Sequence, residues 1–99
     1  MGRKPSADQL RLYEGIDEIL WTDWDPIGIS GPDWPRDEYH GYLPQVFKLA
    51  FDGAAPSKIA KYLDEVVTER MGLSSSVDHD LKVAEKIRSL KLILIPEDR

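Results

Sequence analysis

Prolines and glycines between residues 25 and 35 constrain the fold of this chain more than any other feature. The stretch is DPIGISGPDWP, and a proline directly after Asp25 disfavours the helical backbone at that residue. The glycines and prolines that follow keep a helix from restarting at once. We therefore expect a first helix to end near this stretch and a long loop to follow it. Apolar residues embedded here predict that the loop is ordered and packed; they are Trp24, Ile27, Ile29 and Trp34.

Apolar residues recur at helical spacing before the loop, and they predict a first helix from about Ala7 to Trp21 or slightly beyond. Ser6 and Gln9 have the spacing of a capping box, in which the serine side chain accepts from the Gln9 amide and the glutamine side chain reaches back. Gly15 lies inside this helix at a cost on the order of 1 kcal/mol relative to alanine. The apolar stripe can outweigh that cost.

The helix predicted after the loop contains a proline. Its apolar stripe continues to Phe51, and Asp37 has the chemistry of its N-cap. In a continuous helix Pro44 would remove an amide donor and clash with the preceding turn. We therefore expect either a kink, or a first turn over residues 37 to 41 followed by a second piece that starts near Leu43.

Two further helices and an apolar tail complete the pattern. Pro56 suits the first position of a third helix that ends at Gly72, and a fourth helix is expected over about residues 77 to 90. Periodicity does not decide between a helix end and a strand for the run Leu92 to Ile95, which we expect to pack on the bundle or on a second subunit. The predicted fold is a small all-α bundle of about four helices, with a long ordered loop between helices one and two, in a single domain over residues 1–99.

Composition excludes several classes of protein. With 41% hydrophobic and 31% charged residues, the chain is typical of a folded domain rather than a disordered one. It has no cysteine, which excludes disulfides and thiol chemistry. No apolar run approaches the roughly 20 residues that cross a bilayer, and the start MGRKPSADQL lacks the apolar core of a signal peptide. We expect a cytoplasmic protein that does not bind a membrane.

Negative charge is concentrated around the loop. The net charge is −5, and residues 21–40 hold five acids against Arg36 alone, whereas residues 78–99 hold five acids and five bases. Such a patch repels phosphate backbones, so we expect no nucleic-acid binding, while a basic protein or a cation is an admissible partner. The predicted partner-binding residues are Asp23, Asp25, Asp33, Trp34, Asp37, Glu38 and Tyr39.

The same acids do not predict a metal site. Asp23-x-Asp25-x-x-Gly28 begins like a calcium loop, but Ile27 and Trp34 stand where an EF-hand needs oxygen ligands. Capping of helices and turns is the favoured interpretation of these carboxylates. We expect no metal, no cofactor and no catalytic residue.

Two motifs resemble those of a known family. DPIG at residues 25–28, followed by DEY-x-x-YLP at residues 37–44, is similar to the pattern of a family of small helical bacterial proteins catalogued only as a domain of unknown function. The resemblance covers about residues 10 to 73 and implies an all-helical fold. It implies little about activity, although some similar proteins look like immunity proteins beside bacterial toxins. The favoured function is a non-enzymatic protein-binding or immunity-type inhibitor that uses the acidic aromatic segment.

Two alternatives to that function stay open. Histidine is the side chain best suited to acid–base chemistry near neutral pH, and His40 with Asp37 or Glu38 would suit a small ligand-binding or hydrolase-like domain. No serine or cysteine nucleophile in an elbow motif accompanies it, and the chain has no glycine-rich phosphate loop. The apolar run Leu92 to Ile95 suits instead a structural module that forms a homodimer.

Overall fold

All regular structure in the described part of the chain, residues 6–26, 28 and 35–96 of a computed structural model, is helical. The helices are α1 (Ala7–Ile19), α2 (Leu43–Phe51), α3 (Pro56–Glu65) and α4 (Val77–Leu94), and π-helical turns at Leu20–Trp24 and Val66–Arg70 extend α1 and α3. The predicted all-α bundle of about four helices is confirmed. None of these described helices combines the length and the apolar character that a membrane span requires.

The first helix has the predicted start and a later end. The Ser6 hydroxyl accepts a hydrogen bond from the backbone amide of Gln9 at 3.1 Å, and the backbone amide of Ser6 donates one to Gln9 Oε1 at 3.0 Å. These two bonds confirm the capping box. The π-helical turn continues the helix to Trp24. There Asp25 adopts a left-handed backbone conformation, with φ of 31°, and its amide donates to the carbonyl of Leu20. A left-handed residue is a common way to end a helix.

Pro44 separates a turn region from α2 instead of kinking a continuous helix. Residues 36–42 form successive turns, and α2 begins at Leu43 with Pro44 in its first turn. Proline is tolerated there because the first amides of a helix have no acceptor within it. Asp37 is therefore not the N-cap of α2, whose N-cap is Tyr42, and the expected split near Leu43 is confirmed.

The fourth helix is longer than its periodicity predicts and includes most of the apolar tail. It continues to Leu94, and Leu92 and Ile93 remain 39% and 75% exposed. Leu94 and Ile95 instead pack against the core. The tail is thus a helix end divided between two faces, because its side chains point in different directions around the helix. A homodimer through the exposed pair stays a prediction.

The core lies where α4 meets the other three helices. Its largest fully buried side chains come from every helix; they are Trp24, Leu12, Ile16, Leu20, Ile59, Leu63, Ile87, Val46 and Val66, with Asp80 among them. At the contact of α1 with α4, a Cβ added to Gly15 would come within 2.5 Å of Leu90 Cδ2. Close approach of α4 therefore accounts for a glycine inside α1.

This close approach predicts a coupling between Gly15 and Leu90. In the wild-type background, Gly15→Ala gains about 1 kcal/mol of helix propensity but requires the Leu90 side chain to shift, which offsets part of that gain. In a Leu90→Ala background the overlap is absent, so the same change should raise the free energy of unfolding by up to about 1 kcal/mol. Urea denaturation of the wild type, the two single variants and the double variant measures both effects.

Gly41 provides the matched control, because a Cβ at this position meets nothing within 4 Å. Gly41→Ala should have the same effect in both backgrounds. An equal effect of Gly15→Ala with and without Leu90 would contradict the close packing of α1 on α4.

Candidate functional site

The predicted partner-binding residues divide into groups with different environments. Asp33 and Trp34 lie outside the described residues. Tyr39 is buried, Asp23 and Asp25 are half-buried, and Asp37 and Glu38 are exposed. The five described members of the predicted set therefore lie in different environments.

Tyr39 is a core residue, which corrects its assignment to a binding surface. Its side chain is 2% exposed, and its ring lies against Trp21 and Trp24 with centroid distances of 6.0 and 5.4 Å. Its hydroxyl donates to Asp25 Oδ1 at 2.7 Å. A buried tyrosine usually satisfies its hydroxyl in this way. The bond connects the turn region 36–42 to the end of helix one.

Asp23 is tied to α4 through an ion pair. Lys86 Nζ donates to Asp23 Oδ2 at 2.7 Å, and both side chains are partly exposed. Pairs of this kind contribute about 1 kcal/mol or less to stability. The pairing nevertheless neutralises the charge of Asp23, so this residue adds little to a negative surface.

Arg36 connects the turn region to the outer side of α1. Its guanidinium donates to Asp17 Oδ1 at 2.9 Å and to Glu18 Oε1 at 3.0 Å, and it lies 5.1 Å from the ring centre of Trp21. We call these contacts the Arg36 bridge. Partial burial lowers the pKa of Arg36, but the bonds and charges of Asp17 and Glu18 outweigh it and the net pKa is raised.

The His40 ring joins the same cluster. Its Nε2 lies 3.0 Å from Asp17 Oδ1. The hydrogen bond of this ring thus goes to Asp17 and not to Asp37 or Glu38, the partners expected for a ligand-binding or hydrolase-like site. Neither Asp17 nor Glu18 is predicted from the sequence, since both fit the outer face of α1 and carry no motif.

The exposed acids of the turn lie beside this cluster. Asp37 and Glu38 stand between Arg36 and His40 in the chain, and both are exposed. We call these two acids, together with the Asp17 and Glu18 that Arg36 joins to the turn, the acidic face. It contains four carboxylates and one guanidinium, so its charge stays negative after the Arg36 bridge has formed.

A buried polar contact connects the end of helix one with α4. Trp24 Nε1 donates to Asp80 Oδ1 at 3.2 Å, and both side chains are 1% exposed. His79 Nε2 lies 2.9 Å from the carbonyl oxygen of Trp24, so that nitrogen carries the proton of the bond. The spacing of Asp80 from Ala84 and Ile87 could have indicated a position on the buried face of α4.

Burial raises the pKa of Asp80. The hydrogen bond from Trp24 acts in the opposite direction, the charge of Asp64 raises the pKa further, and His79 lowers it. Among the described residues, no three histidine or carboxylate side chains are grouped so that they could hold a metal ion. Asp80 is thus a carboxylate that is buried away from solvent.

The Tyr39 hydroxyl gives a stability prediction. Tyr39→Phe removes the hydrogen bond to Asp25, and we expect the free energy of unfolding to fall by about 1–3 kcal/mol. Tyr13→Phe is the matched control, because Tyr13 also packs on an aromatic ring, Phe47, but its hydroxyl makes no hydrogen bond within the described residues. Chemical denaturation measures both variants, and equal losses would contradict a specific role of the Tyr39 bond.

The raised pKa of Asp80 predicts a pH dependence of stability. In the folded chain the pKa of the Asp80 carboxyl is raised above its ordinary value of 3.8. The unfolded chain therefore releases this proton at lower pH than the folded chain does. Stability of the wild type should therefore fall relative to Asp80→Asn as pH rises from 3.8 to the raised pKa, and then level off. The asparagine can still accept from Trp24, so its other effects do not change with pH.

Asp78→Asn controls for the loss of charge, since it removes an exposed carboxylate from the same helix. Denaturation curves over a pH series compare both variants with the wild type. The difference in stability between the wild type and Asp78→Asn should not change with pH as the difference between the wild type and Asp80→Asn does. An equal change with pH in both comparisons would contradict the specific role of Asp80.

Comparison of the chain with protein-family models, with curated proteins and with solved structures found no match. The likeness of DPIG and DEY-x-x-YLP to a family of small helical bacterial proteins therefore stays an expectation based on those motifs. What this chain binds must be inferred from its own contacts and charges.

Proposed function

We propose that this chain is a non-enzymatic binding protein that holds a basic protein partner on its acidic face, as an immunity-type inhibitor does. The observation that carries the proposal is the exposure of Asp37 and Glu38 on a turn. Neither side chain makes a hydrogen bond or ion pair with another described residue. Their charge is therefore fully available to a partner.

The turn that presents these acids is held on both sides. The Arg36 bridge attaches it to α1 just before Asp37, and the buried Tyr39 attaches it to Asp25 just after Glu38. A binding segment that is already ordered loses less conformational entropy when a partner docks. The arrangement thus favours recognition by a fixed surface.

The charge of the acidic face favours a basic partner. Its four carboxylates stand against the guanidinium of Arg36, and they lie within one short turn and the end of α1. Concentrated negative charge accelerates encounter with a positive surface and repels a negative one. Because these groups are exposed, such binding weakens as salt concentration rises.

The contacts of His40 support a binding role over catalysis. His40 is engaged with Asp17 at the surface, and no nucleophile is bonded to its ring in the described chain. The immunity-type character comes from the resemblance of the two motifs, since some proteins similar to that family look like immunity proteins.

The acidic face gives a test by charge reversal. Asp37→Lys with Glu38→Lys should weaken binding of a basic partner at least tenfold, which is about 1.4 kcal/mol, because attraction becomes repulsion. The partner is first captured from the native lysate with the wild-type chain, and its affinity for purified proteins is then measured at two salt concentrations. These positions are preferred to Asp25, whose replacement would also break the Tyr39 bond.

Glu65→Lys with Glu69→Lys is the matched control, because it makes the same charge change at exposed positions on and after α3. It should leave the affinity within about twofold of wild type, the scale expected for distant surface charges. Absence of any basic partner, or equal losses in the two double variants, would contradict the proposal.

A further inference from the structure

A small polar cavity lies between the end of helix one, the segment before α4 and the first turn of α4. Its volume is about 210 Å³. The polar residues that line it are Trp24, Asp25, Ser74, Ser76, His79 and Asp80. Apart from Trp24 and Asp25, these residues come from the connection and helix start at residues 74–80, and none of the six belongs to the acidic face.

Asp80, one of the residues that line this cavity, has a buried carboxylate with spare acceptor capacity. Asp80 is 1% exposed, and its Oδ1 accepts from Trp24 Nε1. Its Oδ2 is buried and has no hydrogen-bond partner among the described residues. An ionised carboxylate accepts about four hydrogen bonds, and a buried oxygen without a donor is costly. A donor entering the cavity would remove that cost.

The remaining lining favours a positively charged donor. Asp25 adds a second carboxylate, already bonded to Tyr39, and no lysine or arginine is among the described residues that line the cavity. The hydroxyls of Ser74 and Ser76 add neutral acceptors near its exposed side. Anions are repelled by such a lining, whereas a cation with several N–H groups matches its acceptors.

We propose that this cavity binds an ammonium or guanidinium group, with Asp80 Oδ2 as its principal acceptor. Apolar walls from Val67 and Leu73 suit the short aliphatic part attached to such a group. The shared chemistry has two sources, a free small amine or the lysine or arginine side chain of another protein. This inference does not depend on binding at the acidic face.

The indole proton of Trp24 reports on the cavity, because it is donated to the same carboxylate. We would titrate the ¹⁵N-labelled protein with methylguanidinium chloride and n-propylammonium chloride and follow the Trp24 Nε1–H resonance, assigned with Trp24→Phe. A saturable shift is expected. Tetramethylammonium chloride at equal ionic strength has no N–H donor and should give no saturable shift.

Two variants separate the site from general charge effects. Asp80→Asn removes the charge, and Ser74→Leu places a larger side chain at an exposed residue of the lining while Asp80 stays in place. Each should weaken binding at least tenfold with the remainder of the spectrum unchanged. Asp78→Asn, on the exposed side of the same helix, should bind as the wild type does. Unsaturable shifts, or an affinity in Asp80→Asn and in Ser74→Leu equal to that of the wild type, would overturn the proposal.

A blocked pentapeptide, Gly-Gly-Arg-Gly-Gly, distinguishes the two sources. Tighter binding of the peptide than of methylguanidinium assigns the site to a protein side chain, and tighter binding of methylguanidinium assigns it to a free small cation. Saturable binding of either supports the proposal, and binding of neither overturns it.

Discussion

Trp24 connects three parts of the described chain. Its backbone ends helix one, its ring packs against Tyr39 of the turn region, and its Nε1 donates to Asp80 of α4. A buried indole has one N–H to satisfy and a buried carboxylate needs donors, so each group meets the requirement of the other. His79 adds a second bond to the carbonyl of Trp24. The placement of α4 against helix one therefore depends on polar contacts inside an apolar core.

The two sequence motifs have a structural explanation in this arrangement. Asp25, the aspartate of DPIG, ends helix one in a left-handed conformation. Its carboxylate accepts a hydrogen bond from the hydroxyl of Tyr39, the tyrosine of DEY in the second motif. The proline of the second motif lies in the first turn of α2. Both motifs thus define how the chain passes from helix one to α2. Within the second motif, Asp37 and Glu38 contribute backbone hydrogen bonds to these turns, whereas their exposed side chains make no hydrogen bond or ion pair with another described residue.

Much of the helical structure is predictable from the sequence because periodicity and capping act between close residues. The capping box at Ser6 and the split at Pro44 are examples. The Arg36 bridge was not predictable, since it joins residues 18 and 19 positions apart that no motif relates. The extension of α4 to Leu94 also depends on tertiary packing. Asp80 has a signal in its spacing, but carboxylates are seldom fully buried, so that spacing alone does not predict its burial.

Folding determines which of the negative charges of this chain remain exposed and unpaired. In the sequence the acids of residues 21–40 form one block, yet Asp23 is neutralised by Lys86 and Asp25 serves the Tyr39 hydroxyl. Folding adds Asp17 and Glu18 to the remaining acids of the turn. Among the described residues, exposed carboxylates are therefore found on the turn and at the end of α1. Charge counted along a chain gives the sign of a segment, whereas the position of the exposed charge depends on which carboxylates the fold has already paired.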